Sequence, residues 1–211
     1  MRIIIILILF NSQLLYGQHF DTLHLKSNNT VILSAYDDNK IIEEGDSLLA
    51  AGKIAKAIKK YTTVVELSPT NKNAISKRAF AYLQVDNYKS SLNDYDAAIK
   101  IDPNDYINLS NRALVKWYLK NYTGAVNDCN AALKINSNYS YAYFNKGISY
   151  FELNRYNDAI GCYDMALNID PSFTRAYYNR GNAKFESKNP AGACDDWNRA
   201  KLLGHATAQV R

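Results

Sequence analysis

The residues that could carry catalysis are few in this sequence and poorly placed for it. The three histidines are His19, His24 and His205, two near the start of the chain and one near its end. A Ser–His–Asp or Cys–His arrangement needs a histidine that the fold holds in position. Adjacent carboxylates such as Glu43 and Glu44 point apart on a helix, whereas paired catalytic carboxylates must converge across a cleft.

Signatures of phosphate and metal binding are also missing. The segment 50–60 contains Gly-Lys, but it lacks the spaced glycine before and the Ser/Thr after that a phosphate-binding loop needs. Cys129, Cys162 and Cys194 have no zinc-ligand spacing, and an odd number cannot all pair within one chain. We interpret them as small buried side chains. The sequence therefore predicts a protein without enzymatic activity, cofactor or metal.

Composition favours one soluble domain with a substantial core. The chain has 211 residues, of which 47% are hydrophobic and 21% charged, and its formal net charge is +5. The basic residues are interspersed, whereas nucleic-acid binding would need a clustered basic stripe. Nucleic acid is therefore not an expected partner.

The first 17 residues have the three-part pattern of a secretory signal peptide. Arg2 precedes the apolar run 3–10, and small and polar residues follow up to Gly17, after which we expect cleavage. The run is shorter than the roughly 20 apolar residues of a membrane span. The sequence thus predicts an exported, periplasmic or secreted protein with no membrane span after cleavage. The alternative is an uncleaved N-terminal anchor.

Five columns of equivalent residues recur every 34 residues. Stepping from Gly147 reaches only Gly or Ala, and stepping from Ala159 reaches only Ala or Ser. A period of this length indicates a repeat architecture. The columns are Gly45, Ala79, Ala113, Gly147, Gly181; Ala57, Ser91, Ala125, Ala159, Ala193; Val64, Ala98, Ala132, Ala166, Ala200; Tyr61, Tyr95, Cys129, Tyr163, Trp197; and Pro69, Pro103, Ser137, Pro171, His205.

Each unit predicts two packed helices. In the fourth unit, apolar residues at helical spacing are interrupted by the polar turn formers of "NRYND", resume, and stop at Asp170-Pro171. The residue before a proline is disfavoured in a helix, so the proline separates units. Small residues such as Gly147 and Ala159 allow the two helices to approach closely, and Tyr163 fills the space beside them.

The period and its columns resemble the tetratricopeptide repeat. The resemblance covers about Asp38 to Gly204 and implies an all-α fold, a right-handed superhelical solenoid of antiparallel helix pairs with a concave groove. Residues 18–37 do not fit the repeat, and we expect a poorly ordered leader with one β-like run, or a strap over the first helix. Residues 205–211 predict a short cap or tail. The expected repeats are 38–71, 72–105, 106–139, 140–173 and 174–204.

In this family the first helix of each unit lines the concave surface, so the resemblance implies a peptide groove there. We use the Gly/Ala column that contains Gly147 as a marker. Two residues before it stand Lys77, Asn111, Asn145 and Asn179. An asparagine can donate to and accept from the backbone of an extended peptide. The alternative is that these asparagines bond neighbouring helices or water. The basic column of Arg112, Lys146 and Arg180 lies one residue further on and is expected to point away from the groove.

Aromatic residues follow the same helices. Trp117 and Phe151 stand four residues after this marker, and Phe144 lies near the same surface. Such aromatic side chains either anchor a bound partner or pack between helices. Arg175 and Asn145 match two positions of the clamp with which some family members hold a terminal carboxylate. The remaining clamp residues are absent, so that clamp is not expected here.

The expected function is recognition of another protein, through an extended segment or a helix bound in the groove. The alternative is a structural or self-associating scaffold, a possible homodimer, that uses its end face near Trp197.

Overall fold

The chain folds into an array of helix pairs preceded by a β-hairpin. A computed structural model describes residues 18–25 and 31–204. Within that part, the first helices of the five repeats are α1 (Asp38–Ala50), α3 (Lys72–Gln84), α5 (Tyr106–Tyr118), α7 (Ser140–Glu152) and α9 (Thr174–Glu186). The second helices are α2 (Ile54–Leu67), α4 (Tyr88–Ile101), α6 (Tyr122–Ile135), α8 (Tyr156–Ile169) and α10 (Pro190–Leu202). The helical repeat fold expected from the sequence is confirmed.

Residues 18–37, for which the sequence analysis expects a poorly ordered leader or a strap over the first helix, contain a β-hairpin. Strand β1 (Gln18–Leu25) pairs antiparallel with β2 (Val31–Asp37), and Leu23 stands opposite Leu33. The β-like run at residues 30–33 falls largely in β2, whereas the sequence pattern predicts no partner strand for it. Pairing satisfies backbone N–H and C=O groups that an isolated strand would leave open. Residues 1–17, for which a signal peptide is predicted, and the predicted tail 205–211 lie outside the described part.

Capping side chains mark where several of the helices begin. Asn71 and Asp105 cap α3 and α5 by accepting hydrogen bonds from backbone N–H groups of the first turn. Asn87, Asn121 and Asn189 do the same for α4, α6 and α10. These caps satisfy N–H groups that a helix start otherwise leaves without a partner.

The turn between the two helices of each repeat has its own 34-residue column. Its residue has a positive φ of 57–71° in every repeat, which few residue types adopt easily. The residues are Gly52, Asp86, Lys120, Asn154 and Lys188.

The turn between the third and fourth repeats forms without the proline that the other turns between repeats contain. Asn136 accepts a hydrogen bond from the backbone N–H of Asn138 at 3.0 Å, as Asp102 does from Asn104. Asx turns of this kind set the local backbone direction. Ser137 is therefore accommodated.

The small columns lie where the paired helices cross. A Cβ placed on Gly147 would lie 2.5 Å from Cε1 of Tyr163, and one on Gly45 would lie 2.5 Å from Cε1 of Tyr61. Tyr61 and Tyr163 are fully buried. In the first and fourth repeats, close packing between the two helices therefore depends on glycine facing tyrosine.

None of the helices that the structure describes has the length and apolarity needed to cross a membrane.

Candidate functional site

The first helices of consecutive repeats form one continuous surface. α3 contacts α5, α5 contacts α7, and α7 contacts α9, while each second helix packs mainly against its own first helix and the next one. We call the outward side of α1, α3, α5, α7 and α9 the first-helix face. Any segment laid along the array on this face would meet several repeats at once.

Apolar side chains are exposed along this face. In α5, Ile107, Leu114 and Tyr118 are spaced i, i+7 and i+11 and so share one side of the helix. Ile107 is 45% exposed and Tyr118 43%. The exposed large apolar residues of the first helices are Phe80, Ile107, Tyr118, Tyr141 and Phe185. Single exposed apolar residues are common on proteins, but a row on adjoining helices is the usual mark of an interaction surface.

The predicted row of polar groove residues occupies several different environments. Lys77 is half-buried and its Nζ lies 2.9 Å from Oδ2 of Asp46. Asn111 lies beside the hydroxyl of buried Tyr95, whose pKa is raised by burial. Asn179 is half-buried, and its Nδ2 donates to the carbonyl oxygen of Arg175 at 2.8 Å.

Asn145 is buried, which removes it from the predicted peptide groove. Only 5% of the residue is exposed. Its Nδ2 donates to the carbonyl oxygen of Ser110 at 3.0 Å and lies 3.1 Å from the Ser110 hydroxyl. The alternative role, a hydrogen bond between neighbouring first helices, is the one that the structure shows for this asparagine.

Replacing Asn145 with alanine should therefore lower stability without changing partner binding. The substitution removes the hydrogen bonds of Asn145 Nδ2 to the Ser110 carbonyl and hydroxyl in a buried site between α5 and α7, which costs about 1–3 kcal/mol. Urea unfolding followed by circular dichroism measures the loss, with Asn179→Ala as the half-exposed control. Equal stability of the two variants together with lost partner binding for Asn145→Ala would contradict this assignment.

The predicted aromatic residues Trp117 and Phe151 are packed against neighbouring helices, between repeats for Trp117 and within the fourth repeat for Phe151. Trp117 is half-buried, and its Nε1 donates to the carbonyl oxygen of Ile148 at 3.3 Å. Phe151 is half-buried, and its ring lies edge-on to Tyr156 at 5.4 Å between centroids. Both rings thus contribute to packing between neighbouring helices and are partly accessible.

Phe144 is 6% exposed and belongs to the core, not to the surface predicted for it. Its ring packs 4.9 Å from that of Phe173 and 6.0 Å from that of Tyr163. Arg175 is exposed, with its guanidinium carbon 5.3 Å from the Phe144 centroid and 5.7 Å from that of Phe173. Cation–π contact with two rings holds this cation at the edge of the first-helix face.

Ion pairs hold the first helices on the second helices. Arg112 donates from Nε and Nη2 to the buried Asp128, at 2.8 and 2.7 Å. Its Nη1 reaches Asp96 of the preceding repeat at 2.8 Å. These charge-assisted hydrogen bonds raise the pKa of Arg112. The same 16-residue spacing pairs Arg78 with Asp94 and Arg180 with Asp196. The basic column thus points toward the second helices, away from the first-helix face.

The fourth repeat lacks this pair, because Lys146 and Cys162 stand where Arg112 and Asp128 stand in the third. Burial raises the pKa of Cys162 to about 11 and raises that of Cys129 further. Both thiols are therefore protonated at neutral pH, and the thiolate is the reactive form. Within the described residues, no group of three His, Cys, Asp or Glu side chains could hold a metal ion.

Sequence reasoning missed two features. Phe80, Ile107 and Tyr118 are exposed on the first-helix face without having been predicted there. For Ile107 and Tyr118, the i, i+7, i+11 spacing with Leu114 in α5 is a sequence signal that could have indicated them. The arginine–aspartate pairs were also missed, although their fixed separation of 16 residues repeats with the 34-residue period.

Two comparisons concern sequence. A family model described as tetratricopeptide repeat matches residues 42–106, and one described as TPR repeat matches residues 147–187. These stretches of 65 and 41 residues together span half of the 211-residue chain. No curated protein matches the sequence.

Solved structures share the fold at low sequence identity. A tetratricopeptide repeat protein from Parabacteroides merdae is 21% identical with a TM-score of 0.70, covering 79% of this chain and 65% of that chain. MamA from Desulfovibrio magneticus is 14% identical with a TM-score of 0.70, covering 82% and 97%. YrrB, described as a TPR protein with an unusual peptide-binding site, is 18% identical with a TM-score of 0.62, covering 81% and 88%. With five helix pairs between residues 38 and 202, its repeat columns and these matches, the chain belongs to the tetratricopeptide repeat family.

Proposed function

We propose that this protein is a non-catalytic interaction module of the bacterial cell envelope that binds a segment of another protein on its first-helix face. The tetratricopeptide fold supports a role in protein–protein interaction in general. The observation that carries the location of the site is the row of exposed apolar side chains on adjoining first helices, Phe80, Ile107, Tyr118, Tyr141 and Phe185.

The chemistry of this face favours a partner segment with apolar side chains. Its centre is Ile107, Leu114 and Tyr118, and aromatic residues are frequent energetic anchors of interfaces. At the two ends the face carries charge, Lys77 paired with Asp46 and the exposed Arg175. An apolar segment flanked by polar groups, extended or helical, would match this distribution.

Export is part of the same proposal and depends on the three-part pattern of residues 1–17. N-terminal sequencing of the chain purified from its own cells tests it. A mature chain that begins at Gln18 supports export, and an intact Met1 contradicts cleavage.

The exposed apolar row should be required for partner capture. Tagged wild type, Phe80→Ser/Tyr141→Ser and Met165→Ser are incubated with envelope extract, and captured proteins are quantified by mass spectrometry. Met165 lies on α8, a second helix, and is 43% exposed against 41% for Phe80, so it is a matched control. We expect the double variant to lose at least about tenfold of the specific partner, since interface anchors contribute upward of about 1 kcal/mol each. The Met165 variant should bind as wild type.

Equal capture by all three proteins, with thermal unfolding showing that each is folded, would place the binding site elsewhere. Loss of capture by Met165→Ser alone would move it to the second helices.

The scaffold alternative is less well supported by the geometry around Trp197. Its Nε1 donates to Oδ1 of Asn182 at 3.0 Å, and its ring covers Gly181 and lies 5.9 Å from that of Phe185. This tryptophan is engaged within the fifth repeat. Sedimentation over a range of concentrations distinguishes the two functions, since a scaffold would show a concentration-dependent dimer.

A further inference from the structure

The N-terminal end of the array carries an open cavity of about 380 Å³ between α1 and α2. Ile41 and Leu48 supply apolar surface from α1, and the α2 residues that line it are Lys56, Lys59, Lys60 and Thr63. We call this surface the lysine end face. It is separate from the first-helix face and from the groove proposed there.

Equivalent surfaces inside the array are covered by a helix. In α9, Tyr177 packs against a core cluster that includes Leu167 of α8, and Arg180 binds Asp164 of α8 through Nη1 at 2.6 Å. The second helix of the preceding repeat thus covers this side of each interior first helix. Arg112 and Asp96 show the same arrangement between α5 and α4.

The 34-residue period maps that side of α9 onto the lysine end face. Tyr177, Arg180 and Lys184 correspond to Ile41, Glu44 and Leu48 of α1, which lie on one side of the helix at i, i+3 and i+7. The described part of the chain contains no helix before α1. The cavity therefore occupies the position at which an interior repeat receives a second helix.

The charges of the lysine end face are inverted relative to the interior. Glu44 takes the place of the arginine and pairs with Lys60. Lys56 and Lys59 are exposed, and among the residues of the ten helices neither has a carboxylate within ion-pair distance. An incoming helix that carries carboxylates beside its apolar stripe would neutralise these two cations while covering Ile41 and Leu48.

We propose that the lysine end face is a docking site for an amphipathic, acidic α-helix of a partner protein, which binds there as the second helix of a preceding repeat would. The apolar floor distinguishes this occupant from a free anion, which would leave Ile41 and Leu48 uncovered. The site lies at the end of the array and does not depend on whether the first-helix face binds a segment.

The chain offers a probe for this site, the peptide Tyr156–Ile169 of α8 with Cys162→Ser. It carries Asp158 and Asp164 and no basic residue. The ¹⁵N-labelled full chain is titrated with this peptide and with its Asp158→Asn/Asp164→Asn form, and amide chemical shifts are followed. A free 14-residue helix is only marginally formed in water, so weak binding is expected.

The acidic peptide should shift the amides of Ile41, Leu48, Lys56 and Lys59. The amide-substituted peptide should bind about fivefold or more weakly, as exposed charge pairs of up to about 1 kcal/mol each imply. Lys56→Glu/Lys59→Glu in the full chain should lose the acidic peptide to the same degree. Lys89→Glu/Lys134→Glu makes the same change of net charge at exposed sites elsewhere and should keep it.

Three results would overturn the proposal. The first is the absence of amide shifts on the lysine end face, which would follow if the chain's own N-terminal residues covered it. The second is equal affinity of the two peptides. The third is that the chain binds phosphatidylglycerol vesicles but not the peptide, and that Lys56→Glu/Lys59→Glu abolishes vesicle binding. The last result would assign the face to a membrane surface. Capture on the first-helix face is measured separately, so either proposal can fail alone.

Discussion

Replacing Asp128 with alanine should lower the free energy of unfolding by about 3–5 kcal/mol, the range for breaking a buried ion pair by removing one partner. The side chain of Asp128 is 8% exposed and binds two cations. It accepts from Arg112 at 2.7 and 2.8 Å, and the Nζ of Lys116 lies 2.7 Å from its Oδ2. Without the carboxylate, the mostly buried Lys116 loses its ion-pair partner. Arg112 then retains only the exposed Asp96 as an ion-pair partner.

Asp96→Ala is the matched control, because it removes a carboxylate from the same arginine. Asp96 lies at 2.8 Å from Nη1 of Arg112, but its side chain is 53% exposed. Exposed ion pairs contribute about 0–1 kcal/mol, so this variant should unfold close to wild type. Urea unfolding of both variants, followed by circular dichroism, measures the difference. Losses of equal size would show that burial does not set the contribution of these pairs.

Most of the fold follows from residues that recur every 34 positions. Glycine at 147, alanine at 159 and tyrosine at 163 meet the same neighbours in their repeats, so a column in the sequence corresponds to one packing environment. The prolines and polar turn residues mark where helices stop. For these reasons the observed first helices begin at the first residues of the expected repeats, 38, 72, 106, 140 and 174.

The candidate site was less predictable, because binding residues are those that differ between repeats. Asn111, Asn145 and Asn179 are equivalent in sequence, yet Asn145 is buried against Ser110 while Asn179 is accessible. The neighbour on the first helix of the preceding repeat decides this, and that neighbour changes from Ser110 for Asn145 to Phe144 at the equivalent position before Asn179. Phe80 and Ile107 were missed for the same reason, since each is apolar in a column that is otherwise mixed.

The hairpin of β1 and β2 falls outside the repeat, so periodicity gives no information on it. The β-like run at residues 30–33 indicated one strand. A two-stranded sheet also needs a partner in register, and residues 18–25 alternate too weakly in polarity to indicate one.

Replacing Gly147 with valine should destabilise the protein by about 3 kcal/mol, at the upper end of the usual penalty for overpacking a core. A Cβ at this position would lie 2.5 Å from Cε1 and 2.8 Å from Cδ1 of Tyr163, a fully buried ring that packs near Phe144. Valine adds two further methyl groups, and α7 and α8 would have to separate to accept them. Thermal unfolding measures the effect. Tyr163→Cys, which copies the pairing of Ala113 with Cys129, should recover part of it.

Gly161→Ala supplies the control within the same helix pair. Gly161 lies in α8 with nothing within 4 Å of a Cβ, so alanine there should raise stability by about 0.5–1 kcal/mol through the backbone entropy of the unfolded chain. Ala79 already faces Tyr95 in the second repeat, which shows that one methyl group can be accommodated at this crossing and makes valine the sharper test. If Gly147→Val were as stable as wild type, close contact with the Tyr163 ring would not be the reason for a small residue at this position. The opposite signs expected at Gly147 and Gly161 separate steric contact from helix propensity, because propensity alone favours replacing both glycines.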